Sequence, residues 1–177
     1  MDSYLASKVI FYAWIAFGSY MLLAALRVER AERRESPISR LSYLVLTAGG
    51  AAFLLFSGFP PRWLGERVVP SLPAWVWGGV LLTFAGLGLA TWARYCLGRN
   101  WSGRVTLKVG HELIRSGPYA WFRHPMYVGL DTAVLGSALF KGEWKDLLGA
   151  ALFALGLWRK SRIEDAFLAS RFGADKP

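Results

Sequence analysis

Two clusters of residues in this chain have the types and the spacing to hold a charged, ring-bearing small molecule. The first is HELIRSGPYAWFRHPMYVG, residues 111–129. It contains both histidines, His111 and His124, with Arg115, Arg123, Tyr119, Trp121 and Tyr127 arranged around a Gly117-Pro118 turn. The second is RKSRIED, residues 159–165, with Arg159, Lys160, Arg162, Glu164 and Asp165. Together they offer cations for a carboxylate, carboxylates for an ammonium or for hydroxyls, and ring faces for a flat base. That set suits a zwitterionic ligand carrying a base. Other common sites fit less well. The two histidines are 13 positions apart, the single Cys96 is remote, and no HExxH-type spacing exists, so no metal is assigned. No serine sits on a nucleophile elbow. Gly86 and Gly88 lack the third glycine and the preceding strand of a dinucleotide loop.

The elements that must position these clusters are apolar. Of the 177 residues 54% are hydrophobic, and apolar runs cover about Val9–Leu26, Leu41–Phe59 and Ala74–Ala93, with two shorter ones at Pro125–Phe140 and Leu147–Trp158. Runs that approach the roughly 20 residues needed to cross a bilayer predict transmembrane helices. Charged groups at membrane depth are costly unless paired, which makes the two clusters functional candidates by default. Small residues at Gly49-Gly50, Gly78-Gly79 and Ala85-Gly86-Leu87-Gly88 predict close helix approach. Most tryptophans fall near span ends, as interfacial anchors do. Arg27–Arg40, with charges of alternating sign, reads as a solvated helix extension ending near Pro37. FPPRWLGERVVPSLP reads as an outer-face loop, and the segment after Trp158 as an amphipathic helix.

The formal charge of +9 raises the question of a nucleic-acid partner. Its distribution answers it. With the N-terminus outside and the spans alternating, 16 of the 21 basic residues fall on one side, and only Lys8, Arg62, Arg67, Lys141 and Lys145 on the other. Positive-inside bias accounts for that split without nucleic acid, and it places both polar clusters and the C-terminus in the cytoplasm. The first apolar run has only Lys8 before it and the arginine cluster after it, so it reads as a span and not a cleaved signal. The lone Cys96 allows no intrachain disulfide and reads as a small apolar residue.

The segment LGRNWSGRVTLKVGHELIRSGPYAWFRHPMYVG, followed by a hairpin and RIEDAFLASRFG, resembles the isoprenylcysteine carboxyl methyltransferase family, which belongs with the membrane phospholipid methyltransferases. The resemblance runs from about Leu97 to Gly173 and rests on the G-P-Y-x-x-x-R-H-P-x-Y-x-G string with a downstream acidic pair before Phe-Gly. It implies an all-α integral membrane protein of about five transmembrane helices, the last two a short hairpin, with a cytoplasmic cofactor pocket formed by the C-terminal half. The chain is then one membrane domain, 1–177, with N-terminal transmembrane helices over 1–96 and a cofactor-binding methyltransferase core over 97–177.

The resemblance also implies S-adenosyl-L-methionine as cofactor. Carried over position by position, its contacts fall on Thr106, His111, Glu112, Leu113, Ile114, Tyr119, Arg123, His124, Pro125, Met126, Tyr127 and Glu164. Glu164, Lys160 and Arg162 are the catalytic candidates, with Lys160 standing where the family usually has an arginine one turn before the first acidic residue. Helical spacing puts Lys160 and Glu164 on one face and Arg162 elsewhere. The implied activity is a membrane methyltransferase acting on a lipid or prenylated acceptor that enters from the bilayer, most like protein-S-isoprenylcysteine carboxyl O-methyltransferase. A phospholipid N-methyltransferase is the alternative, followed by an NADPH-dependent membrane reductase of the steroid-reductase type and by a non-enzymatic scaffold. Single alanine substitutions of His111, Tyr119 and His124 are expected to weaken S-adenosylhomocysteine binding by about 1–3 kcal/mol each, the cost of leaving a buried polar partner unpaired. Titration calorimetry on detergent-purified variants checks this, and unchanged affinity in all three would remove the pocket assignment.

Overall fold

The computed structural model describes residues 2–26, 31–56, 61–98, 101, 106–108 and 115–172. Five α-helices make up most of the described chain: α1 (Asp2–Ala25), α2 (Pro37–Leu55), α3 (Pro73–Leu97), α4 (Pro125–Lys141) and α5 (Trp144–Phe172). Three of them, over Ser3–Ala25, Pro37–Leu55 and Pro73–Leu97, are long and apolar enough to cross a membrane. Local sequence sets their starts. Proline occupies the first turn of α2, α3 and α4, where its missing N–H costs nothing and its fixed φ suits a helix. Ser36 adds an N-cap to α2, its hydroxyl accepting from the Ser39 N–H at 3.2 Å.

The helices associate in pairs, α3 with α4 and α2 with α5. Glycine makes both contacts close. On α3, Gly79 and Gly86 face Gly136 and Gly129 of α4, each pair spaced by seven residues or about two helical turns. A Cβ on Gly136 would lie 2.5 Å from the Thr83 nitrogen, and one on Gly79 would lie 2.7 Å from the Gly136 carbonyl oxygen. A Cβ on Gly86 would run into the backbone nitrogen of Ala133. The other pair repeats the device: Gly50 of α2 meets Gly149 of α5, and Gly156 meets Thr47. Backbones in contact maximise dispersion between helices in lipid, where apolar burial offers no drive. Of the small residues marked in the sequence, Gly50, Gly79 and Gly86 take this role, while Gly49, Gly78 and Gly88 face open space. Helix α1 packs on α3 and reaches α4 through the Trp14 indole, whose Nε1–H donates to the Ser137 hydroxyl at 3.0 Å.

At the turn between α4 and α5, Gly142 adopts φ +73°, a left-handed conformation that closes the hairpin. Its carbonyl accepts from the Val68 and Val69 N–H groups, so the α2–α3 connector docks on the hairpin tip. Arg67 donates to the Phe140 carbonyl at 3.2 Å. Two buried side chains, Lys145 and Asp146, pair at 3.0 Å, and Lys145 also meets Glu143 at 2.9 Å. Lys141 donates to the Leu54 carbonyl at the end of α2.

One expectation needs correction. The stretch after Arg30 is not a helix extension. Ala31–Arg34 forms a strand, β1, paired antiparallel with β2 (Thr106–Lys108). Alternating charge fits an edge strand as well as a helix face, and only the partner, far along the chain, decides. Glu35 at the end of this strand is buried and not solvated. The segment beyond Trp158 is helical as expected, and it continues α5 unbroken to Phe172.

Gly86→Ala and Gly136→Ala are expected to destabilise the protein by about 1–3 kcal/mol through overpacking, whereas Gly88→Ala is expected to leave it at least as stable. Thermal unfolding in detergent decides, and a fully stable Gly86→Ala variant would contradict the backbone contact.

Candidate active site

The described part of the first cluster, residues 115–129, and the second cluster come to the end of the helices opposite the Gly142 turn. Pro125 begins α4, which leaves His124 at the N-cap position with φ −127° and ψ 60°. Its carbonyl accepts the first helical bonds, from Tyr127 and Val128. Its ring makes no cap bond and is free to face α5. There Nε2 lies 3.3 Å from an Asp165 oxygen and Nδ1 lies 3.8 Å from Glu164. One turn along α4, the Tyr127 hydroxyl donates to Glu164 at 2.7 Å. The His124 and Tyr127 rings are stacked, with centroids 5.3 Å apart and planes 10° from parallel. Glu164 thus gathers groups from the N-terminal turn of α4 while remaining itself on α5. It is not a surface partner of Arg162, which is exposed.

Lys160 lies one turn before Glu164 and is 9% exposed. Its ammonium sits between two phenol rings, 5.3 Å from the centroid of Tyr127 and 5.5 Å from that of Tyr43 on α2. Burial pushes this lysine below its usual range, with the charges of Glu164 and Glu35 opposing the shift. Tyr43 is itself buried, and its hydroxyl donates to Glu35 at 2.5 Å. The four helix and connector segments therefore meet in one chain of contacts: Glu35, Tyr43, Lys160, then Tyr127, Glu164 and His124.

The loop before α4 adds a second wall. Residues 117–120 form a 3-10 turn with Gly117 at φ +60°, packed so that a Cβ there would lie 2.7 Å from the Cys96 sulfur. Cys96 serves as the small packing residue expected of it. Trp121 meets Trp92 of α3 edge-on at 5.9 Å. Tyr119 packs on Ala90, Ala93 and Met126. Burial pushes its phenol above the usual range, and the charge of Glu164 adds to the shift.

Sequence comparison matches residues 74–175 to the phospholipid methyltransferase family. The chain belongs to that family. It is 30% identical over 103 residues to the protein-S-isoprenylcysteine O-methyltransferase of Saccharomyces cerevisiae, covering 55% of this chain and 42% of the yeast protein. Against the Schizosaccharomyces pombe protein of the same name the figures are 42% over 67 residues, 36% of this chain and 27% of the relative. The cobalt-zinc-cadmium resistance protein CzcN of Cupriavidus metallidurans is 36% identical over 113 residues, covering 63% and 47%. The chain spans less than half the length of these curated relatives.

The family match begins at 74, and so takes in α3 as well as the stretch from Leu97. Within it, the structure brings together His124, Tyr127, Lys160 and Glu164 of the candidates, with Tyr119 on the adjoining wall. Pro125 and Met126 are buried, Met126 against Ala90 and Ala93 of α3, while Arg123 and Arg162 are exposed. Thr106 lies in β2, which rests against α5. His111, Glu112, Leu113 and Ile114 lie outside the described residues. Asp131 makes no ion pair with Arg123 among the described residues, and its Oδ1 is buried without a hydrogen-bond partner.

Three residues went unmarked in the sequence. Glu35 and Tyr43 lie in the N-terminal part, outside the matched stretch, and no spacing rule links them to Lys160. Arg94 is 3% exposed and donates to the carbonyls of Gly98 and Ala24, tying together the ends of α3 and α1, with its guanidinium 4.7 Å from the Trp101 ring. An arginine in the last turn of an apolar helix was the available signal.

Tyr127→Phe removes the donor to Glu164 and is expected to cost about 1.5–3 kcal/mol, the range for a hydrogen bond to a charged group. Asp165→Asn, which leaves that bond intact, is expected to cost less. Chemical unfolding of the two variants in detergent ranks them, and the reverse order would break the assignment of Glu164 as the central carboxylate.

Proposed function

We propose that this chain is an S-adenosyl-L-methionine-dependent integral membrane methyltransferase whose acceptor is a lipid or a lipid-tailed molecule reaching the site from the bilayer. The observation that carries the reading is the clasp of Glu164 with Tyr127 and His124, because it joins the two segments that resemble the family into one polar site at the end of apolar helices. The donor set fits the cofactor. Glu164 and Asp165 supply carboxylates for an ammonium, ribose hydroxyls or a positively charged sulfonium, and the His124 and Tyr127 rings offer faces for adenine. His111, Glu112, Leu113, Ile114, Thr106 and Tyr119 complete the proposed contacts. When bound, the cofactor supplies an electrophilic methyl group, so no covalent catalysis by the protein is required.

The protein's part is then to orient the acceptor and exclude water. Lys160, between two ring faces and one turn before Glu164, is placed to hold an acceptor carboxylate with its ammonium. That supports carboxyl O-methylation of an isoprenylcysteine-like group, the activity for which the two yeast relatives are named. The second reading, N-methylation of a phospholipid head group, draws on the family's own description. We read the basic end of the helices, with the site, as cytoplasmic, and α4 and α5 as the short hairpin that completes five spans.

Calorimetry on the detergent-purified protein is expected to show binding of S-adenosylhomocysteine and none of NADPH; binding of NADPH alone would move the protein to the reductase class. Lys160→Ala and Glu164→Gln are expected to lower turnover at saturating cofactor by at least about tenfold, roughly 1.4 kcal/mol, and Arg159→Ala to do little. Full turnover in Lys160→Ala would transfer the orienting role to another group, Arg123 or Asp131.

A further inference from the structure

We propose that Glu35 and Tyr43 are a positioning pair that fixes the Lys160 ammonium in the site, so that the part of the chain outside the family match sets the acceptor-facing charge. The proposal rests on the reading of Lys160 as the acceptor-orienting cation. A lysine is a compact charge on a flexible stem, without the planar fork that lets an arginine hold its own direction. Where a lysine stands in the arginine position, something else must supply that direction.

The geometry supplies it in two ways. The ammonium is bracketed by ring faces from two helices, Tyr127 of α4 and Tyr43 of α2, each just over 5 Å away. A cation over a phenol face is attracted by the ring quadrupole, and more strongly when water is excluded. Each ring is itself anchored through its hydroxyl, Tyr127 to Glu164 and Tyr43 to Glu35. Tyr43 is 2% exposed and Glu35 is 9% exposed, so this second anchor is shielded from water. Glu35 lies between β1 and the Ser36 cap of α2, two fixed backbone elements, which denies it the freedom of a loop carboxylate.

The second contribution is charge. Burial alone would drive Lys160 toward the neutral amine, which cannot hold an anion. Among the described residues, the charged and titratable groups acting on it include Glu35, Arg40 and Tyr43 from the connector and α2, Tyr127 from α4, and Glu164 on its own helix. The charges of Glu164 and Glu35 favour the ammonium against that burial, and Arg40 works against them. Glu164 also holds Tyr127 and His124, while Glu35 accepts from Tyr43, the ring beside the lysine, and its charge acts on the ammonium.

The test uses the full chain in detergent or nanodiscs. Kinetics with a small prenylated cysteine as acceptor are paired with S-adenosylhomocysteine calorimetry and with the peptide-resolved rate of Lys160 acetylation by acetic anhydride at mildly alkaline pH. Glu35→Gln is expected to lower kcat/KM for the acceptor by about three- to tenfold, the scale of coupling within one charge network, while leaving S-adenosylhomocysteine affinity unchanged. In a Lys160→Ala background the same substitution is expected to have no further effect. Lys160 acetylation is expected to speed up in Glu35→Gln, because losing the carboxylate favours the neutral, reactive amine, and to change in the same direction in Tyr43→Phe. An equal loss with and without Lys160, or a parallel fall in cofactor affinity, would reduce the pair to a packing role and overturn the proposal. If the unmodified protein methylates no acceptor, the proposed function fails on its own. The acetylation rates then still decide the positioning, and rates unchanged in both variants would overturn it.

Discussion

Everything in this fold depends on two places where helix backbones touch. Side chains cannot hold helices together in lipid by escaping water, since the lipid tails are as apolar as they are. Close packing must do it, and here glycines remove the side chains that would keep α3 from α4 and α2 from α5. The resulting order is rigid. Gly79 and Gly86 key into Gly136 and Gly129 at a fixed register, and Gly50 keys into Gly149. A slip of α4 by one turn along α3 would set Cβ atoms where only glycine fits. Since α4 carries His124 and Tyr127 and α5 carries Lys160 and Glu164, the register of the two seams fixes where the polar groups of the site meet.

The polar groups then need one another. His124, Tyr127, Glu164 and Asp165 come from two helices, and each would be expensive to bury alone. Paired, they form one polar cluster at that end of the helices. At the other end of the hairpin the same rule operates with no ligand in view: Lys145, Asp146 and Glu143 satisfy each other beneath the α2–α3 connector. One end is an ionic latch, the other the proposed binding site, and the difference lies in the ring faces and in the groups contributed by distant parts of the chain.

Sequence patterns exposed the helices and half of the site. Hydropathy marked where the helices lie, and the structure adds that the Ser36-Pro37, Leu72-Pro73 and His124-Pro125 junctions set where they start. The four-residue spacing of Lys160 and Glu164 correctly put them on one face. What local patterns cannot carry is a partner from elsewhere. Gly49 and Gly50 look alike until α5 is docked, when only Gly50 meets it. The charges of Arg33 and Arg34 say nothing about pairing with Leu107 and Thr106. Tyr43 reads as an ordinary interfacial aromatic until Lys160, more than a hundred residues later, is laid against its ring.

The helix pairs are also nested: α2 with α5 encloses α3 with α4. Nesting sets an order of assembly. The inner pair closes the shorter loop, so it carries the smaller entropic cost and can dock as soon as α4 emerges. The outer pair closes only when α5, the last of the described helices, arrives. Both carboxylates of the site travel on α5, so the polar groups of α4 are already in place, one turn from an apolar seam, before their partners exist. Synthesis from the N-terminus therefore completes the site only after the inner pair, and a chain interrupted within α5 would have a packed inner pair and no site.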